Sequence, residues 1–143
     1  MDRQGTLMNE AFEVGERFFG AIEAGDFETI RDVYHPEVVI WHNSDGLARR
    51  ERGQNREDNL ALLSVLTKVV RDWKYDVWFR EATESGMVQQ HTLRGRLPNG
   101  EELAIPVCIV LQIADGRITR LDEYIDSAHT RPMVEALRNA RTD

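Results

Sequence analysis

From Asn9 to Ala24 the positions Phe12, Gly15, Phe18, Phe19 and Ile22 recur at steps of three and four, the spacing of an amphipathic helix with one buried face. Gly25 ends it, and Asp26 caps a second, short helix whose apolar side is Phe27, Ile30, Val33 and Tyr34 and which Pro36 stops. Residues Met1 to Met8 carry no such pattern and read as a loose tail. Glu37 to Asn43 is a run of β-branched and aromatic residues that predicts a strand. A polar loop follows from Ser44 to Gly53. A third helix spans Gln54 to Val70, with Leu60, Leu63, Leu66 or Thr67, and Val70 on its buried side.

After Val70 the period changes to two. Trp73, Tyr75, Val77 and Phe79 alternate with Lys74, Asp76, Trp78 and Arg80, and Ser85-Gly86 turns this strand into a second one from Met87 to Arg96. Pro98-Asn99-Gly100 and Asp115-Gly116 tolerate positive φ and connect two further strands, Leu103 to Ile113 and Arg117 to Ile125. Thr130 then caps a C-terminal helix with Pro132 in its first turn and Met133, Val134 and Leu137 as its apolar side. Helices gathered before a hairpin succession predict an α+β domain over residues 1–143. Its curved antiparallel sheet wraps around the long N-terminal helix. The resulting cone is a natural pocket for a small molecule.

Strand alternation also sorts the chemistry. In the last strand Leu121, Glu123 and Ile125 share one face while Arg120, Asp122, Tyr124 and Asp126 share the other, so Glu123 stands alone among apolar neighbours. In Met87 to Arg96 the arginines Arg94 and Arg96 belong in water, which turns Gln89 and His91 inward. Burial disfavours a charged carboxylate and lifts its pKa towards the range useful for proton transfer. Glu123 and His91 are therefore the candidate base and acid. In the first strand, Val39, Trp41 and Asn43 share one face and Val38, Ile40 and His42 the other; both are apolar enough for burial, and the pattern leaves open which one meets the cavity. Trp41, His42, Asn43 and Gln89, with Phe19 from the first helix, are the candidate substrate contacts. Asp122, Tyr124 and Asp126 fall on the outer face.

Composition narrows the partners. A net charge of -7 argues against nucleic acid and against an anionic membrane surface, both of which need clustered Lys and Arg. A single cysteine, Cys108, lies within an apolar strand; it allows no internal disulfide and no cysteine-based zinc site, and it reads as buried filler. His42, His91 and Glu123 match no metal-ligand spacing, so no metal and no cofactor is expected. No membrane span or signal core appears, which suggests the cytoplasm.

The run FFGAIEAGDFETIRDVYHPEVVIWHN, together with the late strands up to ITRLDEYID, resembles the nuclear transport factor 2 superfamily, and within it the SnoaL-like polyketide cyclases, ketosteroid isomerases and limonene epoxide hydrolases. The resemblance implies the cone fold, known elsewhere as cystatin-like, and dimerisation through the outer sheet face. The fold carries many chemistries. Against limonene epoxide hydrolase, Glu123 stands where that family has a catalytic Asp, and Trp41 and Asn43 match its water-holding Tyr and Asn. Its remaining Arg and Asp pair with Gln90 and Thr92, or, with one extra residue, with Gln89 and His91. That charged triad is not kept. The isomerases' catalytic Asp falls on His42 or Asn43, and their tyrosine on the first helix has only Phe12, Phe18 and Phe19 to match. In the SnoaL-like cyclases an acidic residue of the last strand works beside a strand histidine, which Glu123 and His91 resemble best.

These features predict a cofactor-independent enzyme acting by acid-base chemistry on a small apolar substrate: an isomerase, cyclase, dehydratase or hydrolase. The alternatives are a binding module using the same cone without chemistry, and a cone plugged by Trp41 and the phenylalanines that serves only to dimerise.

Overall fold

The first helix reaches further towards the N-terminus than its apolar pattern. The computed structural model describes residues 3–142, with side chains from 5 to 140, and α1 (Arg3–Ala24) spans 22 residues. Its core face is Ala11, Val14, Phe18, Phe19 and Ile22. The expected tail is thus helical from Arg3, while Met1 and Asp2 lie outside the described residues. A helix fixed by a buried face adds turns at little cost, one hydrogen bond per residue, without further packing. Leu7 and Met8 accordingly remain exposed on it.

Asp26 starts α2 (Phe27–Val33) by accepting the Thr29 backbone N–H at 3.2 Å and the Thr29 hydroxyl at 2.6 Å. The chain passes directly into β1 (Tyr34–His42) and through two short 3-10 turns, Asn43–Asp45 and Leu47–Arg49. Asn55 caps α3 (Arg56–Val69), which buries Asn59, Leu60, Leu63, Leu66 and Val69. Four strands then run in succession: β2 (Arg71–Ala82), β3 (Gly86–Arg96), β4 (Glu102–Ala114) and β5 (Arg117–Ile125). The last helix is α4 (Ser127–Thr142). Its cap is Asp126, not the expected Thr130: the Asp126 carboxylate takes the Ala128 N–H at 2.9 Å, and Thr130 turns its hydroxyl to the Ser127 carbonyl.

The sheet order is β1-β5-β4-β3-β2. β2 to β5 form the expected antiparallel meander, but β1 lies parallel to β5, so the sheet is mixed where an antiparallel one was expected. Hairpin turns specify only neighbours in sequence; β1 finds its partner some eighty residues on, after α3 and the meander have closed the other edge. β2 also departs from simple alternation. Val77 pairs with His91 and Phe79 with Gln90, leaving Trp78 as the extra residue of a bulge. Beyond the bulge the faces exchange, and Arg80, expected to point outward, joins Gln89 on the concave side.

α1 packs on β2 and β3, α3 on β1, and α4 on α3 and β4, so the helices fill and cover the concave side of the sheet. The polar segment after β1 is pinned back by reciprocal backbone bonds between Ile40 and Gln54, at 3.0 and 2.7 Å. Gly53 makes this closure possible: at φ +52° a side chain there would place its Cβ 2.5 Å from the Ile40 carbonyl oxygen.

Candidate active site

The parallel pairing of β1 decides which of its faces looks inward. Ile40 and His42 line a narrow cavity, open at its mouth, together with Leu121, Glu123 and Ile125 of β5. Its far walls are Phe18 and Ile22 of α1, Leu62, Leu63 and Leu66 of α3, and Leu93 and Ile109 of the sheet. The residue pairing across the sheet runs His42, Glu123, Ile109, Gln89, Arg80, from β1 to β2. Polar groups thus occupy both ends of one row, with Ile109 between them.

Glu123 is the buried charge of this cavity. Its burial pushes the carboxyl above the ordinary glutamate value; the His42 ring opposes that shift and the Asp45 charge adds to it. One carboxylate oxygen lies 3.6 Å from His42 Nε2, and the two side chains keep 20% and 21% of their surface, enough to meet water at the mouth. The other ring nitrogen, Nδ1, lies 3.4 Å from Asp45 Oδ2, which also accepts the His42 backbone N–H at 3.3 Å. His42 therefore sits between two carboxylates.

Four more polar groups interrupt the apolar wall. The Tyr34 hydroxyl donates to Asn59 Oδ1 at 2.8 Å, and Asn59 in turn donates to Gln54 at 3.1 Å. Tyr75 faces the same space, and burial, reinforced by the Glu123 charge, raises the pKa of both phenols. The indole N–H of Trp73 is buried without a well-formed hydrogen bond, yet close enough to the Tyr75 oxygen to favour its ionised form slightly. At neutral pH these are O–H and N–H donors facing a carboxylate across an apolar space. Such an arrangement can take a proton from carbon or oxygen and hold a neighbouring oxygen by hydrogen bonds.

The sequence profile of the SnoaL-like domain matches residues 15–121. The chain belongs to the SnoaL-like family. No curated protein sequence matches it significantly, but solved structures resemble it along most of its length. An LEH-like epoxide hydrolase of M. tuberculosis superposes with a TM-score of 0.72 at 20% identity, covering 92% of each chain. PrhC of Penicillium brasilianum reaches 0.79 at 11% identity, over 94% of this chain and 92% of its own. IdmH of Streptomyces antibioticus, a candidate polyketide cyclase, gives 0.72 at 20% identity, over 87% and 98%. At these identities the likeness is one of fold, the cone of the nuclear transport factor 2 superfamily.

Within this SnoaL-like cone the expected site residues separate. Glu123 and His42 meet in the cavity. His91 does not stand beside Glu123: it pairs with Val107, one step along the sheet from the row of Glu123, and the strand β4 lies between them. It is fully buried, its ring packed edge-on against Phe19 at 5.8 Å and Tyr75 at 4.8 Å. Arg80 holds the Gln89 carbonyl oxygen at 2.8 Å and pairs with Glu16, so Gln89 turns its N–H to His91 Nδ1 at 2.9 Å. The His91 proton then belongs on Nε2, which has no partner among the described residues. Burial, and to a smaller extent Arg80, lowers its pKa to about 4. A ring held neutral and sealed in this way is structural, and Gln89 is its clasp.

Phe19 lies behind the wall, and its neighbour Phe18 is the cavity residue. Trp41 is on the outer face, edge-on to Tyr124 at 5.6 Å and under the Arg50 guanidinium at 5.1 Å. Asn43 is spent on structure: its amide exchanges two 3.0 Å hydrogen bonds with the Ile125 backbone, joining the end of β1 to β5 at the mouth. Asp122, expected at the surface, is 5% exposed and held by Arg50 at 3.1 Å and Arg120 at 3.0 Å. Cys108 is half-buried on the outer face. The sequence reading passed over Asp45, Tyr34, Asn59, Trp73 and Tyr75. Asn59 carried the one available signal, a polar residue on the buried face of α3.

Among the described residues no group of His, Cys, Asp and Glu could hold a metal ion, and no helix is long and apolar enough to cross a membrane.

Proposed function

We propose that this SnoaL-like protein is an acid-base enzyme, working without a cofactor on a small, largely apolar molecule that carries a carbonyl or hydroxyl oxygen. The observation that carries this reading is Glu123, a carboxylate inside an apolar cavity with its pKa raised by burial and a histidine 3.6 Å away. Glu123 takes a proton from the substrate, His42 shares it and returns it, and Tyr75 and Trp73 hold the oxygen on which charge develops. Isomerisation, dehydration and intramolecular aldol closure all consist of such a withdrawal and return. The epoxide hydrolase and the candidate cyclase that share the fold make this class of chemistry a natural one for the cavity.

An open cavity speaks against the plugged cone. Trp41 packs outside it, and of the first-helix phenylalanines only Phe18 lines it. The binding-module reading is separated by turnover. β-Tetralone, an apolar ketone, serves as probe: its α-protons exchange with deuterium oxide once a base removes them, and NMR follows the loss. The wild type is expected to accelerate exchange. Glu123→Gln is expected to lose at least roughly a hundred-fold of that acceleration, the scale of a general base, while the ketone still raises its Tm. Undiminished exchange in the variant overturns the assignment. Thermal stabilisation of the wild type without any exchange favours a carrier.

A further inference from the structure

His42 shows two carboxylates at its two nitrogens, and only one of them belongs to the cavity. Asp45 reaches Nδ1 at 3.4 Å from a 3-10 turn three residues on, and Glu123 reaches Nε2 at 3.6 Å from β5. We propose that Asp45 is the positioning residue of the site. It holds His42 with its proton on Nδ1, so that the Nε2 lone pair faces Glu123, and it stabilises the imidazolium formed when Glu123 hands on its proton. The inference rests on the acid-base reading above and extends it to the path between the buried carboxyl and water.

Several independent features fix Asp45 where the relay needs it. Its carboxylate is anchored by the His42 backbone N–H at 3.3 Å, and in the same capping box the Asp45 backbone N–H faces the His42 ring, so carboxylate and backbone compete for Nδ1. Its loop is tied to the sheet on the outer side, where Trp41 Nε1 donates to the Gly46 carbonyl at 3.0 Å and Arg50 pairs with Asp122 at 3.1 Å. On the inner side the Ile40–Gln54 backbone bonds close the same loop. A carboxylate anchored by a backbone N–H, on a loop tied down on both sides, is preorganised, as a group orienting a catalytic imidazole must be. Exposure increases outward, from 20% at Glu123 and 21% at His42 to 30% at Asp45.

The proton count is simple. Glu123, protonated by the substrate, gives that proton to Nε2 and becomes a carboxylate again. The imidazolium then carries N–H on both sides and a carboxylate against each, and it releases a proton to water at the mouth or back to the product. Asp45 neither gains nor loses a proton in this sequence. No further charge enters: α3 and α4 give the mouth Leu62, Leu66, Thr130, Met133, Val134 and Leu137 only. The separations of 3.4 and 3.6 Å exceed ordinary hydrogen bonds, and catalytic contacts commonly tighten when substrate binds.

The test uses the full chain and needs no substrate. Imidazole nitrogen NMR shifts of His42 are recorded over a pH series for wild type, Asp45→Asn and Glu123→Gln. In Asp45→Asn the amide oxygen can still cap the His42 N–H, so the turn is kept, and unchanged amide spectra elsewhere verify the fold. The neutral ring is expected as the Nδ1–H tautomer in wild type and in Glu123→Gln, and as a mixture or the Nε2–H tautomer in Asp45→Asn. An Nε2–H ring in wild type, or an identical ring in Asp45→Asn, overturns the proposal. With β-tetralone, Asp45→Asn is expected to lower kcat for exchange roughly ten-fold with KM unchanged, a part of the general acid-base contribution. Absence of exchange in wild type would sink the acid-base reading and leave the tautomer result standing, so the two fail separately.

Discussion

Two histidines with the same side chain take opposite parts because their surroundings differ. His42 keeps its edge in water and a carboxylate at each nitrogen. His91 has no solvent contact, two aromatic rings for walls and a glutamine amide at Nδ1. Its folded pKa, near 4, lies below the 6.5 of a free imidazole. Between about pH 4 and 6.5 the ring is therefore neutral in the folded chain, whereas unfolding would let it take a proton. Its contribution to stability is fully present above about pH 6.5, is lost as pH falls towards 4, and is at most roughly 3 kcal/mol. Urea unfolding at a series of pH values checks this: wild type is expected to lose more stability between pH 6.5 and 4 than His91→Met, in which the titrating ring is absent. Parallel curves for the two proteins would contradict it. At this scale the sequence made Glu123 legible through plain strand alternation and put His91 rightly inward. It could not distinguish a buried histidine that is sealed from one that is used, because the difference lies in Gln89, Arg80 and Glu16, brought together by a bulge and by α1.

The elements explain why the partner of Glu123 was hard to see. Local patterns predicted the four-strand meander and its turns, and every α-helix, though α1 starts six residues before the expected Asn9. They could not give the parallel pairing of β1 with β5, and that pairing alone puts His42 rather than Trp41 or Asn43 inside. The same strand carries the loop that holds Asp45, and Gly53 is its hinge point. Gly53→Ala forces a Cβ to 2.5 Å from the Ile40 carbonyl at a φ of +52°, and is expected to cost about 1–3 kcal/mol of stability. Gly20→Ala is the control, on the exposed side of α1 with nothing within 4 Å of the new Cβ; there the helix is expected to gain about 0.5–1 kcal/mol. Chemical denaturation of the two variants should move in opposite directions. Equal stability of Gly53→Ala and wild type would mean the loop is not closed as described.

At the scale of the whole molecule, the helices occupy the concave side of the sheet and leave its convex side uncovered. Tyr124, Phe79 and Trp78 keep 44%, 43% and 59% of their surface, and the chain carries a net charge of -7. Exposed aromatic residues gathered on one face are the usual material of an interface, and we propose that two copies pair through it. Sedimentation is expected to report a dimer for wild type, a monomer for Cys108→Arg, which lies between Gln90 and Tyr124 on the central strand of the convex face, and a dimer for Leu47→Arg on the loop, where Leu47 is already 84% exposed. A monomeric wild type would contradict the pairing without touching the cavity, which lies on the opposite side of the sheet. The sequence put Tyr124 on the outer face, where it is exposed, yet placed Asp122 on the surface beside it. That residue is covered by Arg50 and Arg120, whose approach depends on the fold of the loop.

The cavity, the strand register and the relay all bear on one claim, that Glu123 is a base whose proton affinity is raised by its burial. The direct measurement is kcat/KM for β-tetralone exchange as a function of pH, because its acidic limb reports the essential base of the free enzyme. For wild type the rate should rise with pH through a midpoint above the ordinary glutamate value of 4.5, in the direction that burial drives Glu123, and in Glu123→Gln that rise should disappear. A midpoint at or below 4.5, or the same limb in the variant, would contradict the account.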